Sequence, residues 1–249
     1  MKKLAIFAAS LLALISLAAC GNKEEDPNST NEQGEQRSNQ SELVTASEAF
    51  TNSKYKFWYS FGKSDIGKDD EPNGIYVSKD GKLASYSIYR TAFDGMTISE
   101  ILDLSDKEKL TKLTTQPKEI DIDGVIRTAT NSITLDDLLT KPTFNLITDK
   151  TGNSVESEHV YTKYLDNNLN DGTKEFEKTF NWVASETSIS LDATGASAVI
   201  YDHTLRGFYG VNSKKEYNSM ILTETGNDNV NFTLNSVDDK GKNITIDAD

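Results

Sequence analysis

The chain is poor in the residues that carry most reaction chemistry. Of its 249 residues one is cysteine and two are histidine. A single cysteine excludes an intrachain disulfide framework and a cysteine-built zinc site. The histidines, His159 and His203, each follow a carboxylate, Glu158 and Asp202. Adjacent residues on a strand point to opposite faces, so neither pair is a ready-made dyad. The sequences G-x-S-x-G, H-E-x-x-H, a Walker loop and G-x-G-x-x-G are all absent. Positive charge is scarce as well: 39 acidic residues stand against 26 basic ones, for a formal net charge of −13. An acidic surface repels nucleic acid and anionic headgroups, so no nucleic-acid partner is expected. Long apolar runs are limited to one, at the start of the chain.

That run is the first informative feature. Lys2 and Lys3 precede the uncharged stretch LAIFAASLLALISLAA, residues 4–19. A basic start, an apolar middle and small residues before a boundary are the grammar of an export signal. The run falls short of the roughly 20 apolar residues that cross a bilayer as a helix. It closes on Leu17, Ala18, Ala19 and Cys20. This LAAC resembles the lipobox of bacterial lipoproteins. The resemblance implies cleavage between Ala19 and Cys20 and a covalent diacylglycerol on the Cys20 sulfur, which leaves no free thiol. It further implies a location on the extracytoplasmic face of the bacterial cell membrane, with the membrane itself as partner through the lipid anchor. Two acyl chains anchor stably where one holds marginally.

Residues 21–42 contain no aliphatic or aromatic side chain. Such a segment buries too little to offset the entropy of ordering and is expected to be disordered. As a tether reaching residue 53 it spans on the order of 30 Å. Within it, LVTASEAF (residues 43–50) is a candidate for a short helical turn. The expected organisation is therefore a signal peptide over 1–19, a lipidated cysteine and tether over 20–53, and an extracytoplasmic domain over 54–249, with a division into two subdomains near 130–142 left open.

The domain reads as mainly β, with α+β as the alternative: hairpin-rich antiparallel sheets with a few short helices. In YKFWYSF the odd residues Tyr55, Phe57, Tyr59 and Phe61 share one face of a strand. Hairpin turns are expected at residues 79–82, 123–124, 149–153, 193–195 and 239–242, where Gly, Asp and Asn interrupt strand-like runs. Ile98, Ile101, Leu102, Leu110 and Leu113 recur at helical spacing. Ser105 opens a capping box with Glu108, which predicts two short helices that break near Ser105. TLDDLL, residues 134–139, is another helical turn stopped before Pro142, and residues 173–185 fit helix or strand. The segments IYVSKDGKLASYSIY, TISEILDLSDKEKL, DKTGNSVESE and NFTLNSVDDKGKNITID resemble those of uncharacterised surface lipoproteins of Gram-positive bacteria. That resemblance implies location and anchoring, and supplies no catalytic residue.

Two features are candidate sites. DNNLNDGTKEFE places Asp166, Asn168, Asn170 and Glu177 on the first, third, fifth and twelfth positions of an EF-hand loop, which would take calcium. Its sixth position, where glycine makes the turn, is Asp171, so an ordinary Asn/Asp/Gly loop is the better account. The second partial match, around Gly74, runs straight into a strand. Among the aromatics, the odd face is expected to be core, leaving Trp58 facing outward as a candidate ligand contact unless a second layer buries it. No other cofactor is expected. The function that follows is a tethered binding or interaction module at the cell envelope, with an unknown protein or polysaccharide ligand. The alternatives are a carboxylate-based hydrolase acting on cell-wall or extracellular polymer, and an immunity or exclusion lipoprotein.

Overall fold

The structure, a computed structural model, describes residues 41–122, 125–171, 178–211, 217–226, 229–239, 241 and 243–248. The elements run β1 (Glu42–Thr45), α1 (Ala46–Thr51), β2 (Phe57–Phe61), β3 (Gly74–Lys79), β4 (Lys82–Ser87), α2 (Ile98–Leu102) and α3 (Asp106–Thr114). They continue with β5 (Glu119–Ile122), β6 (Val125–Ala129), α4 (Leu135–Leu138), β7 (Thr143–Thr148), β8 (Val155–Asp171) and β9 (Lys178–Ile200). The last four are β10 (His203–Val211), β11 (Tyr217–Glu224), β12 (Val230–Thr233) and β13 (Ile244–Ala248). The fold is mainly β, with short helices set between groups of strands.

Local chemistry explains many of these boundaries. Asp80 and Gly81 both adopt positive φ, 52° and 74°. That is the backbone of a two-residue turn whose twist matches the flanking strands, and Lys79 pairs with Lys82 across it. Each α-helix starts at a capping box: Thr45 with Glu48, Thr97 with Glu100, Ser105 with Glu108, and Thr134 with Asp137. In each the side chains satisfy backbone N–H groups that the first turn leaves unpaired.

The strand pairings close on themselves. Strands β4, β3, β2, β11, β10, β9 and β8 form successive neighbours, and β8 returns to β4 through a short parallel pairing of Ala84 with Lys163 and Ser85 with Tyr164. Closure of this kind removes open edges from the strands involved. β7 and β13 extend the sheet beyond β8, and β6 and β5 extend it beyond β9. β9 serves three partners, β8 up to Asp192, β6 at Thr179 and Phe180, and β10 from Leu191 onward. β9 therefore continues through residues 193–195 with a break in its register against β10, where Phe208 pairs with Gly195 and Gly210 with Leu191, and the expected hairpin there does not form. The chain reverses later, at Tyr201, where φ is 53°. The turn expected at 239–242 does not join a hairpin either: β12 pairs with β1 and β13 with β7, both in parallel. The hairpin β5–β6 is formed, and its turn at 123–124 lies outside the described residues.

Both faces of the β2–β3–β4–β11 region are buried. Phe57, Tyr59 and Phe61 face a first core that includes Ile98, Ile101, Leu102 and Leu113 from α2 and α3. Trp58, Leu83, Val160, Leu191, Phe208 and Ile221 face a second core, completed by Ala46, Ala49 and Phe50 of α1 and by Val230 and Phe232 of β12. Tyr55 joins this second core, because it precedes β2 and the strand's alternation does not reach it. Residues 42–53 thus belong to the fold and not to a tether, for Val44, Ala46, Ala49 and Phe50 are all buried. The described residues fall in one compact unit, with no division near 130–142.

Candidate functional site

The second layer settles the place of Trp58. Its ring lies 4.5 Å from that of Phe50 and 5.3 Å from that of Phe232, and the residue is fully buried. An outward-facing ligand contact at Trp58 is therefore corrected to core packing: α1 and the β1–β12 pair cover a face that an isolated sheet would leave open. Tyr209 packs against the first core.

Asp166, Asn168 and Asn170 lie on β8, paired with Val183, Asn181 and Thr179 of β9. The loop expected there is strand as far as Asp171, because the β8–β9 hairpin extends its ladder to Lys178; Glu177 lies outside the described residues. The Asp166 carboxylate accepts hydrogen bonds from the Tyr164 hydroxyl at 2.7 Å and from Arg90. Burial opposes ionisation of Asp166, but those donors and the Asn167 amide hold its pKa below the usual carboxylate range. Among the described residues, no group of three or more histidine, cysteine or carboxylate side chains is arranged to hold a metal ion. Cys20 and Ala19 lie outside the described residues.

The histidines sit in different settings. His159 is paired with Asn145 and Ser190 on neighbouring strands. The Nδ1 of His203 lies 2.7 Å from a Glu224 carboxylate oxygen. Its Nε2 is 3.6 Å from Asp202 and 3.8 Å from Asp103. The partner that matters, Glu224, comes from the neighbouring strand β11. No described hydroxyl hydrogen-bonds to His203, so this dyad lacks a nucleophile.

Glu224 also lines a cleft of about 610 Å³. Its walls come from the loop after α1 (Ser53, Lys54, Lys56), from β2 (Phe57, Tyr59), from the end of β3 (Ser78, Lys79), from α3 (Asp106, Lys109, Leu110), from Leu135 of α4, and from Thr223, Glu224 and Gly226. The local construction follows from α3. The capping box at Ser105 starts the helix, and Lys109 and Leu113, one turn apart, then share its buried face. Leu113 enters the first core, whereas Lys109 extends over the rings of Phe57 and Tyr59, 5.6 and 6.0 Å from their centroids. The residue is only 5% exposed. Burial draws its amine below the usual lysine range, against the opposing pull of Glu224, Asp106 and Asp103.

The remaining charges of the cleft are mostly matched. Lys56 pairs with Asp106 at 2.9 Å, Lys79 with Asp136 at 3.4 Å, and Lys54 with Glu42 at 3.6 Å. Lys109 is the exception: among the described residues no carboxylate is bonded to it. The buried hydroxyl of Ser78 has no hydrogen-bond partner among the described residues. Burial, reinforced by Glu224 and Asp106, pushes the Tyr59 phenol far up, so it remains a proton donor. The cleft can therefore offer the Lys109 ammonium and the Ser78 hydroxyl to a guest. No protein-family model, curated protein or solved structure matches the chain.

Proposed function

We propose that the protein is a binding module held at the cell envelope by a lipid on Cys20, and that it takes its ligand in the Lys109 cleft. The observation that carries this reading is the Lys109 ammonium. It is buried, lines a concave site and lacks a bonded carboxylate among the described residues. A buried cation without its counter-charge costs several kcal/mol, and a ligand is the natural source of what is missing. The volume of the cleft lies within the range of small-molecule sites. A polymer end or a single repeating unit fits such a space.

The hydrolase alternative gains less support. Two carboxylates working as acid and base need to face each other across a substrate. Here Asp106 is held by Lys56 and Glu224 by His203.

Co-sedimentation of the purified protein with isolated cell-envelope material tests the reading. Ser53 is exposed at the cleft wall, so Ser53→Trp fills the entrance without touching either core. Binding by the native chain and its loss in Ser53→Trp are expected. Equal binding by both forms overturns the cleft as the binding site.

A further inference from the structure

We propose that the cleft recognises an oxyanion, a phosphate or carboxylate group carried by the ligand, seated against the ammonium of Lys109. The inference rests on the cleft being the binding site, and adds the chemistry of what enters it.

Charge balance is the first argument. The chain as a whole is strongly negative, yet four lysines and two carboxylates line this cleft. Glu42 and Asp136 pair with Lys54 and Lys79 from outside the lining, so the excess of positive charge comes down to the lining itself. Lys109 is the lining lysine with no bonded carboxylate among the described residues, and low-dielectric walls strengthen its pull on an anion.

The second argument is the state of each carboxylate. Asp106 already accepts from Lys56 at 2.9 Å, and Glu224 faces His203 at 2.7 Å. Neither is bonded to Lys109. Lys109 therefore retains three N–H donors that face no bonded acceptor among the described residues, while Lys56 spends one of its three on Asp106. A cationic guest would meet carboxylates already engaged. An anionic guest would meet donors still open.

The third argument is the Ser78 hydroxyl. Ser78 lines the same cleft as Lys109, and its buried hydroxyl has no hydrogen-bond partner among the described residues. It can donate to an oxyanion. Lysine binds as a point charge and lacks the flat fork of arginine, so phosphate and carboxylate are both accommodated.

Proton linkage follows. Burial lowers the Lys109 amine, and a bound anion raises it again. Binding then takes up protons at alkaline pH, and affinity falls as pH rises.

The test is a titration of the purified protein with inorganic phosphate, with acetate, and with uncharged glycerol, followed through the lysine ε-methylene NMR signals. The Lys109 signal is identified by its absence in Lys109→Met. A saturable shift of that signal with phosphate, with acetate or with both is expected, and none with glycerol. A response to phosphate alone identifies a phosphoryl group, and a response to acetate alone identifies a carboxylate. Lys109→Met is expected to weaken envelope binding by about tenfold or more, the equivalent of one charge-assisted contact. Absence of a saturable response to either anion overturns the inference, even if Lys109→Met fails to fold. If Ser53→Trp abolishes envelope binding while Lys109→Met and added phosphate leave it unchanged, the cleft binds by other chemistry and only this inference falls. If Ser53→Trp has no effect, the binding-site reading itself falls.

Discussion

Glu158 and Asn235 form a buried pair that joins two distant parts of the fold. One carboxylate oxygen of Glu158 accepts from the Asn235 backbone N–H at 2.9 Å, and the other accepts from the Asn235 side-chain amide. Asn235 in turn accepts from the Ser47 hydroxyl at 2.6 Å. Strand β8, the segment after β12 and the start of α1 are tied together through these three side chains.

The pair predicts a pH-dependent stability. Burial raises the Glu158 pKa from 4.5 to about 7, against the opposing effect of its hydrogen bonds with Asn235. Between those values the unfolded chain loses this proton while the folded chain keeps it. Stability therefore falls as pH rises from about 4.5 to about 7, and levels off above. Glu158→Gln removes that slope. The stability of the variant relative to the native chain should rise by roughly 3 kcal/mol across that window. Denaturant unfolding at several pH values checks it; parallel curves for the two proteins would refute the assignment.

A second prediction concerns Lys109. Lys109→Met replaces a buried, unpaired ammonium with an apolar chain of similar length. The variant should be more stable than the native chain by roughly 1–2 kcal/mol while losing its ligand, since apolar replacement of buried charge is often stabilising. Opposite movements of thermal midpoint and binding are the signature. A destabilised variant would mean that the carboxylates of Glu224, Asp106 and Asp103 more than offset the burial of the charge.

Gly207 provides a test of the ring. It sits on β10 between Ala196 of β9 and Leu222 of β11, and an added Cβ would collide with the backbone carbonyl of Ile221. A rigid carbonyl in a paired strand cannot move aside as a side-chain tip can. Gly207→Ala is expected to cost roughly 1–3 kcal/mol, as overpacking does. Chemical denaturation measures it, and an unchanged midpoint would contradict the packing of β10 against β11.

Anchoring is tested at Cys20. Cys20→Ser removes the sulfur that would carry the lipid, so the protein should leave the membrane fraction or accumulate as uncleaved precursor. Unchanged processing and lipid labelling in the variant would contradict the lipoprotein reading.

The parts of this fold that could be read from sequence are those decided within a few residues. Asp80-Gly81 determines its turn through backbone conformation, and Ser105 with Glu108 starts α3 through its cap. Other features depend on partners far along the chain. Leu43 pairs with Asn231, and Ala84 closes the ring against Lys163. No local pattern announces either contact, and for the same reason Trp58 looked free to face outward. The turn expected at residues 193–195 failed because tertiary pairing kept β9 extended through Gly195. The site was hidden differently. A lysine on a helix normally reads as solvated, and only the one-turn spacing from Lys109 to Leu113 hints that both share the buried face. The contact of His203 with Glu224 likewise required the register of β10 against β11.

The central claim, that the Lys109 cleft is where this protein binds, is tested most directly by one comparison. Binding of the native chain, Ser53→Trp and Lys109→Met to isolated envelope material is measured side by side by co-sedimentation, with thermal melting to confirm that each is folded. The account predicts binding by the native chain and its loss in both variants. Folded variants that bind as well as the native chain would contradict it.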